Sequence, residues 1–127
     1  MLCEIESTKT IDQVCQDLEK AVVENKFGVM TVHNLKETMK KKGVEFDQEC
    51  RIFEVCNPHQ AKRVLEKDME ISTALPCRIS VFTAGGKVKL ATLKPTVLIS
   101  QFNVPDLQPV AKEVEETLIQ IMNQASK

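Results

Sequence analysis

Two thiols stand where chemistry would be placed. Cys56 opens the run Cys56-Asn57-Pro58-His59, and Cys77 sits inside Leu75-Pro76-Cys77-Arg78. A cysteine directly before a helix start meets the free N–H groups and positive dipole end that stabilise a thiolate. His59 lies three residues on in the same first turn, while strand alternation places Cys56 on the side of Cys50 and Ile52, where it would be an inert buried residue if that side is the core. Cys56 and His59 are the candidate catalytic pair, and a redox or sulfur-transfer step with Cys56 as nucleophile is the chemistry they would support. Cys77 has a cationic neighbour in Arg78, although adjacent strand residues point to opposite faces and the charge helps the thiol less than proximity in sequence suggests. The candidate ligand-binding set is Cys56, Asn57, His59, Cys77, Arg78 and Arg51, the two arginines being able to hold an anion if they face one cleft. A Cys-x-x-His with one further Cys is one ligand short of a structural zinc site, so no metal is expected. Nothing in the sequence assigns a cofactor.

Whether the two thiols can act together depends on the chain between them. If the helix after Asn57 is a simple crossover, its flanking strands run parallel and Cys56 and Cys77 lie at opposite ends of the sheet. If the segment from Met69 to Leu75 runs back along that helix, the strands are antiparallel and the thiols meet. Other catalytic signatures are absent: there is no phosphate loop, nucleophile-elbow serine, His-Glu-x-x-His or Gly-x-Gly-x-x-Gly. The sequence leaves open whether the protein is an enzyme.

The elements that must position these residues are legible from periodicity. Leu2 to Glu6 alternates as a first strand. Thr10 with Gln13 fits a capping box before Ile11, Val14, Cys15, Leu18, Ala21 and Val22, whose spacing predicts a helix ending near Asn25, with Cys15 on its core stripe. Phe27 to His33 is a second strand, expected to return beside the first. Asn34 caps a short helix that Gly43 stops, and Lys40 to Lys42 complement its C-terminal dipole. His33 reads as a hydrogen-bonded structural residue. Cys50 to Cys56 is a third strand, with Cys50, Ile52 and Cys56 on one side and Phe53 and Val55 on the other. Asn57 then caps a helix with Pro58 at its first position and Gln60 closing the box. Cys77 to Phe82, Ala84-Gly85-Gly86-Lys87 and Val88 to Thr92 form a hairpin. Thr96 to Phe102 is expected as a further strand behind Pro95. A last helix follows Pro105, its apolar stripe running from Leu107 to Ala125.

At 127 residues the chain is expected to be a single domain spanning 1–127. Its 17 Lys and Arg against 18 Asp and Glu give a net charge of −1, which offers no electrostatic case for nucleic acid. No apolar run reaches the roughly 20 residues of a membrane span, so no membrane partner is expected. Five cysteines, an odd number in predicted strands and helices, point to reduced thiols and a cytoplasmic setting.

Phe27-Gly28, Gly43, Cys56-Asn57-Pro58, Leu75-Pro76-Cys77-Arg78 and the Gly85-Gly86 hairpin, in that order, resemble the prokaryotic family known as domain of unknown function 302, and the likeness covers nearly the whole chain. The resemblance implies an α+β two-layer sandwich: a curved, mostly antiparallel sheet with helices packed mainly on one face, similar to one TATA-binding-protein repeat. It implies no activity, and a fold does not bring a function with it. The leading expectation is non-enzymatic binding of a small ligand or sulfur-bearing partner near Cys56 and Cys77. The thiol enzyme described above and a structural homodimer subunit are the alternatives.

Overall fold

A computed structural model describes residues 1–127. Five strands, β1 (Leu2–Ser7), β2 (Gly28–Asn34), β3 (Cys50–Cys56), β4 (Cys77–Ala84) and β5 (Lys87–Leu93), form one sheet in the order β1-β5-β4-β3-β2. Every neighbouring pair is antiparallel. The α+β class and antiparallel sheet follow the expectation. The second strand does not return beside the first, however: β1 and β2 occupy opposite edges, with three strands inserted between them. Helix α1 (Ile11–Glu24) therefore crosses the whole sheet.

Alternation along the strands decides what α1 and the last helix, α5 (Gln108–Ser126), cover. Phe53 and Val55 of β3, Ile79 and Val81 of β4, and Val88 and Leu90 of β5 point to one face. There they pack with Val14, Leu18 and Val22 of α1 and Leu118, Ile121 and Met122 of α5. These twelve side chains have at most 6% of their surface exposed, so this interface supplies the larger share of the hydrophobic stabilisation. Cys15 belongs to the same core, where burial pushes its thiol pKa up against the opposing influence of Arg51. Glu4, Glu6 and Lys89 occupy the other sheet face. Lys89 lies 3.3 Å from Glu4 and 3.9 Å from Glu6.

The local signals hold where the chemistry is short-range. Thr10 Oγ1 accepts from the Gln13 N–H at 3.2 Å, and Asn34 Oδ1 from the Glu37 N–H at 3.1 Å to start α2 (Leu35–Lys41). Gly43 takes φ of +80°, and Gly85 and Gly86 take +58° and +78° in the β4–β5 turn. One element differs. The stretch expected as a strand from Thr96 to Phe102 is helical: α4 runs Pro95–Ile99 and a 3-10 turn follows over Ser100–Phe102. Pro95 at the first turn suits a helix start. The missing side-chain cap comes from another element, since Glu115 Oε1 on α5 accepts from the Thr96 N–H at 3.2 Å and from its hydroxyl at 2.7 Å.

Candidate functional site

The site begins where β3 ends. Asn57 leaves the strand in an extended conformation, and its Oδ1 accepts from the N–H groups of His59 at 3.1 Å and Gln60 at 3.3 Å. With Pro58 next, α3 (Pro58–Lys67) starts as expected. Gln60 does not close a capping box. Its amide nitrogen reaches Glu113 Oε2 of α5 at 3.4 Å instead. After α3 the chain turns at Asp68, runs back as a 3-10 helix over Met69–Ala74, passes a cis Leu75–Pro76 peptide and enters β4 at Cys77. This return makes β3 and β4 antiparallel, with Val55 opposite Cys77. The two cysteines thus occupy neighbouring register positions at one end of the sheet.

A second, smaller core sits beyond this sheet end. Val64 of α3, Ile71, Ile99 of α4, Leu107, and Val110 and Ala111 of α5 pack together, with Phe102 and Val104 against them. Between it and the main core lies a cavity of ≈ 130 Å³. Sixteen of its 22 lining residues are hydrophobic, among them Phe27, Val55 and Val114 from the main core and Val64, Ile71, Ile99 and Ala111 from the smaller one. Cys56, Asn57, Gln60, Leu75, Pro76, Cys77 and Arg78 border it on the strand-end side, and Leu93, Pro95 and Leu98 on the other. An apolar space of this size suits a molecule of one small ring, since a cavity of about 150 Å³ in another protein holds benzene.

Of the six residues predicted to bind ligand, four therefore border one cavity: Cys56, Asn57, Cys77 and Arg78. His59 does not. It is exposed on the outer side of the α3 start, and Cys56, His59 and Cys77 form no cluster arranged to hold a metal. Arg51 lies at the opposite end of β3, opposite Val81. Its Nη2 is bound to Asp12 Oδ1 at 2.9 Å, and its charge lowers the pKa of the nearby Cys15 thiol against the effect of burial. Arg78 pairs across the sheet with Glu54, so it and Arg51 face opposite sides and share no cleft. The Arg78 guanidinium is 3.7 Å from Glu54 Oε2, and His33 Nε2 is 2.8 Å from Glu54 Oε1. His33 is thus a hydrogen-bonded strand residue, as expected.

Strict alternation aims Cys77 with Val55 toward the helices and Cys56 with Glu54 toward the other face. Both are free thiols. Burial pushes the Cys77 pKa up to about 11, the nearby Cys56 adds to the shift, and Arg78 opposes it. Cys56 is raised as well, by burial. With both shifted upward, the two groups are neutral thiols at physiological pH. Two polar side chains complete the lining. Thr92 is spent internally, its hydroxyl donating to the Arg78 carbonyl at 2.7 Å. Gln60 Oε1 is buried with no hydrogen-bond partner. Its place in the lining had no local signal, because the cap position alone accounts for a glutamine there. The apolar lining of α4 and α5 was equally invisible, being assembled from distant elements.

The family described as domain of unknown function DUF302 matches residues 3–125, nearly the entire chain. The protein belongs to the DUF302 family. A solved DUF302 structure, the uncharacterized conserved protein DUF302 from Bacillus stearothermophilus, is similar to it with a TM-score of 0.93 and 28% identity. The match covers 98% of this chain and 97% of that one. No functionally curated protein matches significantly. DUF302 membership agrees with the motif order of Cys56-Asn57-Pro58 and Leu75-Pro76-Cys77-Arg78, whose residues meet at the cavity. No helix is long and apolar enough to cross a membrane.

Proposed function

We propose that this DUF302 domain binds a small, largely apolar molecule, which includes a sulfur-bearing one, in the cavity bordered by Cys56 and Cys77, and that it does so without catalysis. The observation that carries this reading is the ≈ 130 Å³ apolar space between the two cores, reached from the end of β3 and the start of β4. A small domain ordinarily packs its interior to crystal density, and a void lined by so many side chains forfeits dispersion contacts that a ligand would restore. The raised thiol pKa values favour this over the thiol-enzyme alternative, which needs a depressed one. The five free cysteines support a reducing, cytoplasmic setting.

Calorimetric titration with toluene tests the reading. Saturable binding is expected in the wild type, and none in Ala111→Phe, which fills the cavity from α5 while preserving the far-ultraviolet circular dichroism. No binding to the wild type, or undiminished binding to the folded variant, would overturn it.

A second reading, a homodimer subunit, draws support from β2. This strand pairs only with β3 and leaves its other edge free, with Met30 62% and Val32 40% exposed. An unpaired strand edge carrying exposed apolar side chains is a template for pairing with a second chain.

A further inference from the structure

On the reading that the cavity is a binding site, we infer that its ligand is a small monocarboxylate, a single-ring-sized apolar body whose carboxylate Arg78 holds at the mouth. Most of the lining belongs to the two cores, but three of its residues come from the uncovered face of the sheet. Cys56 alternates with Val55 onto that face, Arg78 stands there opposite Glu54, and Leu93, four residues after Lys89, ends β5 on the same side. The cavity therefore runs past the ends of β3 and β5 and the start of β4, from between the layers out to the open face. At that mouth Leu93 is 44% exposed and the Arg78 side chain 54%. An apolar interior with a cation at its opening is the complement of a molecule with an apolar body and one anionic end.

The polar groups that a ligand can reach here are donors. Four polar side chains line the cavity: Asn57, Gln60, Arg78 and Thr92. The Thr92 hydroxyl is spent on the Arg78 carbonyl, and Gln60 Oε1 is enclosed by protein. Asn57 uses its Oδ1 on the first turn of α3, which leaves its amide nitrogen as the free end. The ion-pair partner of Arg78, Glu54 Oε2, lies at 3.7 Å, beyond hydrogen-bond reach, while Glu54 Oε1 is bound to His33 at 2.8 Å. The guanidinium donors are thus unspent, and their planar fork matches a carboxylate bidentately. The charge of Arg78 is felt in the cavity wall, where it opposes the rise of the Cys77 pKa. No second cation lines the space, which limits the ligand to a single negative charge, and the ≈ 130 Å³ volume limits its apolar body to about one ring.

Calorimetric titrations with phenylacetate, its neutral amide phenylacetamide, and toluene separate the anion from the cavity. The wild type is expected to bind all three, with phenylacetate tighter than phenylacetamide by about tenfold or more. In Arg78→Gln that preference is expected to disappear while toluene still binds, which certifies a folded cavity. In Ala111→Phe phenylacetate binding is expected to be lost together with toluene binding. If toluene does not bind the wild type, the cavity reading itself fails. Toluene binding with no preference for phenylacetate over its amide overturns the carboxylate and leaves the cavity reading standing. A preference that survives in Arg78→Gln, or phenylacetate binding undiminished in Ala111→Phe, would overturn the assignment to Arg78 at this mouth.

Discussion

Cys77 shows how a residue's neighbours in space overrule its neighbours in sequence. Arg78 beside it suggests an activated thiol, but alternation sends the guanidinium across to Glu54, and the sulfur is left with Val55 and the apolar cavity wall. The thiol therefore ionises at about 11 rather than at the ordinary 9.0. At pH 8 the thiolate fraction is expected to be about a hundredfold below that of an unperturbed cysteine. Iodoacetamide labelling, followed by peptide mass spectrometry, is expected to modify Cys77 about a hundredfold more slowly in the native than in the unfolded protein. Its rate should still be climbing above pH 9. The same shift links to stability. The unfolded chain sheds this proton near 9.0 and the folded chain near about 11, so the stabilising contribution is whole below pH 9 and is lost as the pH rises between those values. A native labelling profile that levels off below pH 9 would contradict the burial argument.

At the scale of the element, α4 is the part of the cavity wall with the least support of its own. It is five residues long, its N-cap Lys94 makes no side-chain cap bond, and its first turn is held by Glu115 from α5 and by Gln108, whose amide donates to the Thr96 carbonyl at 3.1 Å. Glu115→Ala is expected to cost about 1–3 kcal/mol in urea denaturation, the range for losing hydrogen bonds to a charged acceptor. A change within error would mean that water replaces the cap. This borrowed cap also explains the one element whose type was misjudged. Thr96, Val97 and Ile99 are β-branched and favour a strand locally, and the carboxylate that tips the balance stands nineteen residues away. The starts of α1, α2 and α3 were legible because donor and acceptor lie within three residues of one another. Cys56, Asn57, Cys77 and Arg78 were legible as a group because each flanks the same reversal. His59 and Arg51 were not separable from them, since the direction of a side chain at a helix start or strand end depends on what packs behind it. The cavity depends on α4 and α5, and no local spacing reports that.

For the whole molecule, the sheet has two edges of different character. On β1, Glu4 and Glu6 alternate with apolar residues, whereas β2 reads Gly-Val-Met-Thr-Val-His-Asn with no lysine or proline to deter pairing. Sedimentation velocity over a concentration series is expected to show a dimer that Val32→Lys converts to a monomer, if β2 pairs with its copy. A wild-type monomer throughout would remove that reading and leave the cavity unaffected. The placement of β1 and β2 also governs the route by which the chain assembles. β4 and β5 meet through a two-glycine turn, but β1 must find β5 across most of the sequence, and the Ser7 hydroxyl donates at 2.7 Å to the Ser126 carbonyl 119 residues away. Pairings of such separation close slowly, because the entropy of a long loop is lost before its contacts form. The sheet is accordingly expected to grow from its middle outward, with the strand nearest the N-terminus among the last to be sewn in.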